Sequence, residues 1–402
     1  LKSLADLDGL EALYLGGNQI TANGLAHLTG LTSLKILNLR ELPVDAASFT
    51  RHLGQLADIS RLNLGGTRFD DDDLAALANL KNLQALVLPG LITDTGLAQL
   101  TGFEQLEILV LDQTGISDEG LSSLSALKAL KRISLRGTKV SSPGVWQFAA
   151  SRTTLDVEFN RGSLTHDQLV LFQDANNDDL AGLSKLNHLK ILKLNGTTVT
   201  DDGLTHVSKM FNLEEIILPR SITDAGLVHL ANLSRLKRLA IIGRGVTGAG
   251  LQSIRRLTGL EVLSLDGTRV DDPGLAHLQR LGDLQRLSCR RTRITDKGLA
   301  HLANLSRLQT LRLGYNQITD SGLASLASLS SLRQLSLVRT QVTGTGLESL
   351  RRLSRLELLD LENTSVSATD VADLKRALPD CEIRFPVDPL VSALAVNGNK
   401  LI

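Results

Sequence analysis

Leucines in this chain recur in a fixed arrangement: a pair separated by one residue, then a run separated by two. The stretch LQTLRLGYNQITDSGLASLASL, starting at Leu308, shows both. Leu311 and Leu313 flank Arg312, so a short strand would turn both leucines to one side and the arginine to the other. Leu323, Leu326 and Leu329 repeat every third residue, which suits a short helix or 3₁₀ turn. An Asp such as Asp94, Asp118, Asp224, Asp296 or Asp320 stands before this turn at an expected N-cap position. Each unit then has a strand edge and a helical edge facing one leucine layer. A single unit cannot close that layer, but stacked units can.

The pattern runs from Leu13 to Ile383 in about sixteen units, with steps of 23–25 residues and a single step of 35 from Val157 to Leu192. Ser163 to Leu169 fits the start of a helical turn, and Leu180-Ala181-Gly182-Leu183 fits it again. The extra length therefore falls near 170–182 on the helical side, leaving one stack over 1–385. Alternatively, residues 148–159 look like the closing 377–385 and form an internal cap between two stacks. Leu1, Leu4, Leu7 and Leu10 match Leu323, Leu326, Leu329 and Leu332 in register, so the chain starts inside a unit. An uncovered leucine layer is an aggregation hazard, and further sequence before Leu1, within a longer chain, is expected. Residues 386–402 read as a short C-terminal tail or cap.

Composition changes this picture little. The 402 residues include 86 leucines and only 11 aromatics, as expected for many small identical core slots. Lys+Arg and Asp+Glu are 43 each, so no global field attracts nucleic acid or an anionic membrane. No apolar run approaches ~18 residues, which argues against membrane insertion. Cys289 and Cys381 have neither metal spacing nor a disulfide framework. The chain does not depend on an oxidising compartment, which leans toward the cytoplasm and leaves localisation open.

The unit LxxLxLxx[TN], followed by ITDTGL (92–97), ITDAGL (222–227) and ITDKGL (294–299), resembles the leucine-rich repeat (LRR) family over essentially all of 1–385. Its second half is similar to the cysteine-containing subtype and to repeats of bacterial LRR proteins. The subtype's cysteine is mostly Thr here (Thr67, Thr114, Thr138, Thr197, Thr268, Thr292, Thr340, Thr364), with Asn18 and Asn316 elsewhere. Thr or Asn there is expected to bond loop backbone in the neighbouring coil. The resemblance implies an α/β solenoid, a horseshoe with a parallel β-sheet on the concave face and short helices or 3₁₀ turns on the convex face. It implies a non-enzymatic module that binds a protein partner on the concave face. The alternatives are the substrate-recognition part of an F-box-like ubiquitin-ligase adaptor or a bacterial effector, and a scaffold for a catalytic domain elsewhere.

Candidate chemistry is sparse, and no cofactor, metal or catalytic residue is assigned. His27, His206, His229, His277 and His301 recur after Gly-Leu-x without the partners zinc requires, and read as surface residues. Asp174-x-Asn176-x-Asp178 starts like a calcium loop, but Asp179 and Lys185 occupy the positions that need Gly and an acid. Asp70 to Asp73 reads as solvated capping of a helix start. What remains is surface. Tyr14, Asn38, Asn63, Val87 and Val110 make the early strand face neutral, whereas Arg286, Arg290, Arg291, Arg312 and Arg339 concentrate positive charge later. Arginine recognises carboxylate or phosphate bidentately, so these five form a candidate stripe for an acidic partner segment.

Overall fold

The period-two leucine pairs form strands of three or four residues, and the period-three runs form one α-helical turn continued as 3₁₀. The computed structural model describes residues 1–385, and the expected tail at 386–402 lies outside the described residues. The chain packs as two units. One is Leu1–Leu171 with Asp179–Leu189; the other is Phe172–Asp178 with the chain from Lys190 onward.

In the first unit, parallel strands run from Ala12–Tyr14 to Asp156–Phe159, with Leu37, Leu62, Leu86 and Leu109 in register. In the second, parallel strands run from Ile191–Lys193 to Glu382–Arg384, with Leu263, Leu287, Leu311 and Leu335 in register. Register equals the unit pitch, so every rung adds the same atoms to one layer. Leu299, Leu302, Leu305 and Leu308 on the helical side are fully buried together with Leu311 on the strand. Each such leucine contributes about 1.5–3 kcal/mol. Large rings occur where the helix is longer. Phe49 in Ala46–Leu53 meets Phe69 edge-on at 5.7 Å, and Trp146 in Ser142–Ala149 meets Phe159 at 5.4 Å.

The long step has a different construction from the helical lengthening expected. Residues 163–169 do not start a helical turn: Gly162–Thr165 and Gln168–Leu171 are strands, each antiparallel to the one before. Leu164, Leu169 and Leu171 are buried in period-two alternation, which holds these residues extended. Leu169 then restarts the repeat 23 residues ahead of Leu192. In that register Asn177 takes the usual Asp position and Asp179 the usual Gly position.

The recurring Asp is not the N-cap. Thr295 and Thr319 are the N-cap residues, and Asp296 and Asp320 open the helices. Each Asp carboxylate instead accepts from the following unit: Asp296 takes the Thr319 backbone N–H at 2.8 Å and its hydroxyl at 2.6 Å. Asp94 does the same with Ser117, and Asp272 with Thr295. This ladder dictates the glycine two residues after each Asp. A Cβ at Gly322 would collide with Asp296 Oδ1, and one at Gly120 with Asp94 Oδ1. The threonines at the subtype's cysteine position also differ from expectation. Thr268 and Thr340 bond carbonyls in their own unit, Leu265 and Leu337. Asn316 reaches the neighbour, donating to the Cys289 carbonyl at 2.6 Å and accepting from Thr292.

Candidate functional site

The candidate site belongs to the second unit and starts with backbone conformation. Four residues past the first leucine of six of its pairs, the chain turns through the left-handed region. Gly196 and Gly267 occupy it with φ of 90° and 74°. The next four units place Arg291, Tyr315, Arg339 and Asn363 there, with φ between 54° and 64°. For a side chain other than glycine this costs roughly 1–2 kcal/mol. Three of these residues interact across neighbouring units. The Arg291 guanidinium carbon lies 4.4 Å from the Tyr315 ring centroid, that of Arg339 5.4 Å, and that of Arg290 6.0 Å. Such contacts contribute about 0.5–1 kcal/mol each when exposed.

The five arginines expected from sequence are thus partly gathered. Arg290, Arg291 and Arg339 converge on Tyr315. Arg312 ends the strand Thr310–Arg312 and lines a cavity of about 210 Å³ with Arg290, Asp360 and Arg384. Arg286, exposed at the start of Arg286–Ser288, lines neither this nor the larger cavity described next.

Sequence reasoning missed four further arginines. A cavity of about 920 Å³ lies along four successive strand-exit loops and is lined by Arg220, Arg244, Arg269 and Arg293 together with Arg290 and Arg291. The signal was available, since Arg220 and Arg244, and likewise Arg269 and Arg293, stand 24 residues apart on successive loops. The Arg269 and Arg293 backbones are pinned to the preceding unit by N–H bonds to Val246 and Val270, both 2.8 Å. All six side chains are exposed. Asp266 is the only carboxylate in the lining, and it accepts from Ser288 Oγ at 2.6 Å and the Arg290 backbone N–H at 2.7 Å.

Among the described residues, none of the six forms an ion pair, nor do Arg286, Arg312 and Arg339. Elsewhere in the unit Arg238 pairs with Glu215, Arg307 with Asp283, and Arg333 with Glu357. Beneath the loops, Cys289 is fully buried, and burial reinforced by the Asp266 charge pushes its thiol well above the usual range. A neutral thiol there is a core residue rather than a nucleophile. Among the described residues no group of three or more His, Cys, Asp or Glu could hold a metal. His301 instead shares a hydrogen bond with the Gln279 side chain.

Residues 185–207 and 305–327 match the Leucine Rich repeat family model. The chain carries leucine-rich repeats. Among curated proteins none matches it. Three similar solved structures are LRR or internalin proteins of bacteria. An internalin of Listeria monocytogenes is 21% identical, with a TM-score of 0.46, over 95% of this chain and 88% of its own. An internalin C2 of the same species is 25% identical, with a TM-score of 0.43, over 56% and 92%. An LRR protein of Leptospira interrogans is 18% identical, with a TM-score of 0.45, over 90% and 97%. LRR proteins are commonly protein–protein interaction modules and generally lack catalysis of their own. Within this chain the repeats supply parallel strands on one side and short helices with 3₁₀ turns on the other.

Proposed function

We propose that this chain is a non-enzymatic recognition module. In this reading the strand side and loops of residues 286–339 take an acidic segment of a partner polypeptide. One observation carries it: Arg290, Arg291 and Arg339 surround Tyr315 without an ion pair among the described residues, two of them on left-handed backbone. Local strain and unpaired charge both oppose stability, and such features concentrate where a surface is used. Contact with the Tyr315 ring restrains the guanidiniums, so a carboxylate can take paired donors at a smaller cost in side-chain ordering. Arg312 extends the same surface onto the strands, and Arg286 adds charge at their start.

The test is capture of a fluorescent Glu/Asp-rich peptide by the full chain, read by anisotropy. Reversing Arg290, Arg291 and Arg312 to Glu should weaken capture at least ~100-fold, since each desolvated charge pair lost costs on the order of 2 kcal/mol or more. Undiminished capture by that variant sinks the reading.

A further inference from the structure

The larger cavity is a separate matter. Its lining includes Arg290, Arg291 and Arg293, but Arg220, Arg244 and Arg269 lie on loops the acidic-partner reading does not use. We propose that this cavity is a binding site for a compact ligand bearing two or three phosphoryl groups.

The argument begins with charge. Six guanidiniums line the space against one carboxylate, Asp266, whose Oδ1 is already engaged by Ser288 and the Arg290 backbone. Like charges on adjacent rungs repel, and within the lining only Asp266 offsets them. An anion that enters relieves this repulsion and finds donors in place, because two of the loops are pinned to the preceding rung through Arg269 and Arg293. Guanidinium suits oxyanions with several acceptor oxygens, where each fork donates two parallel hydrogen bonds.

Size then selects among anions. Four rungs at about 4.8 Å spacing extend about 14 Å from first to last. Offsetting the excess with carboxylates takes about five of them. An extended strand turns alternate side chains the same way, so five on one side need about nine residues and about 26 Å from first to last, nearly twice the available span. A phosphoryl group carries about −1.5 to −2 charge at neutral pH, so two or three suffice, in the space of a small molecule. The cavity volume of about 920 Å³ is in the range of small-molecule sites.

Isothermal titration of the full chain with inorganic tripolyphosphate, at fixed ionic strength, tests this. Saturable one-to-one binding is expected. The variant R220Q/R244Q/R269Q should weaken it by about 30-fold or more, as loss of several charge-assisted hydrogen bonds implies. These side chains are exposed, so the fold should tolerate the change; R244Q alone should still cost about fivefold. The control R307Q/R333Q/R351Q removes arginines that pair with Asp283, Glu357 and Glu348, and should leave binding unchanged. No saturable heat, or equal weakening by both triple variants, overturns the proposal. A second arm identifies the source of the phosphoryl groups. A doubly phosphorylated peptide that displaces tripolyphosphate places them on a polypeptide; failure to displace places them on a small molecule. If the peptide's Glu counterpart displaces tripolyphosphate as well as the phosphorylated form does, the phosphoryl requirement is overturned, while the acidic-partner reading stands.

Discussion

Two edges of the second unit carry charge in opposite ways. On the helical edge, Asp272, Asp296 and Asp320 each accept a backbone N–H and a hydroxyl from the following repeat. On the loop edge, arginines of four successive repeats line a cavity and form no ion pair among the described residues. The carboxylates are joints between repeats: removing one leaves a neighbour's N–H unsatisfied. The guanidiniums form no ion pair among the described residues, and the fold engages three of them only through the Tyr315 ring. A repeat can thus multiply a structural charge and an available one with equal regularity, and only the partners tell them apart.

The joints follow a rule that also exposes their exceptions. At three rungs where the Asp position holds a small residue, the following Gly position holds an Asp: Ala46 is followed by Asp73, Ser142 by Asp179, and Gly344 by Asp370, whereas Ala22 and Gly248 are followed by Ser48 and Gly274, with Asp45 and Asp271 three residues earlier. Ser142 donates to Asp179 at 2.6 Å, and a Cβ at Gly344 would collide with the Asp370 carboxyl. One carboxylate fits each of these rungs, entering from either side. The largest predicted effect breaks this rule. Gly322→Asp alone sets a second carboxylate against Asp296 and should cost about 3 kcal/mol or more. Adding Asp296→Gly recreates the Gly344–Asp370 arrangement and should return most of that loss. Urea denaturation of the two single variants and the double gives the coupling. Additive losses would show that the exchange is coincidence.

A smaller effect separates two exchanged carboxylates by pH. Hydrogen bonds from the Ser367 hydroxyl and backbone hold Asp370 below the usual carboxylate range. Its stabilisation is therefore present above the ordinary value and fades as pH falls through the lowered one. Burial pushes Asp73 up, with Asp70, Asp45 and Asp72 adding repulsion. Its contribution runs the other way, present at low pH and lost as pH rises through the raised value. Asp370→Asn should then destabilise at pH 7, and Asp73→Asn should not. The gap between the two variants should close below pH ~4, where carboxylates protonate. Parallel melting curves across pH would contradict the assignment.

Much of this was legible in the sequence. Strand pitch and helical turns follow directly from leucine spacing, because period two and period three lead to different backbones. The Asp–Gly joint was not, since it links positions about one repeat apart, such as Asp296 and Gly322, whose clash appears only once rungs are stacked. The same blindness put the N-cap one residue late, at Asp296 instead of Thr295. The antiparallel strand Gly162–Thr165 was hidden because spacing around Leu164 and Leu169 imitates a helical turn. Attention to the strand leucines found Arg312 and Arg286 and passed over the loop arginines at 220, 244, 269 and 293, although their pitch was in plain view.

The smallest predicted stability change sharpens the comparison most. Arg291→Gly removes left-handed strain of about 1–2 kcal/mol. Against that stand about 0.5–1 kcal/mol from the freer unfolded glycine and a similar amount from the lost contact with Tyr315. The terms nearly cancel, so urea midpoints should shift by no more than about 0.5 kcal/mol in equivalent stability. Capture of the acidic peptide should nevertheless fall about tenfold, as loss of one charge-assisted pair implies. A joint and an available charge therefore respond oppositely to removal: the joint loses stability, the available charge loses only binding. If Arg291→Gly instead destabilises by more than about 2 kcal/mol, beyond what these terms allow, the loop arginine is a joint as well, and the distinction between the two edges fails there.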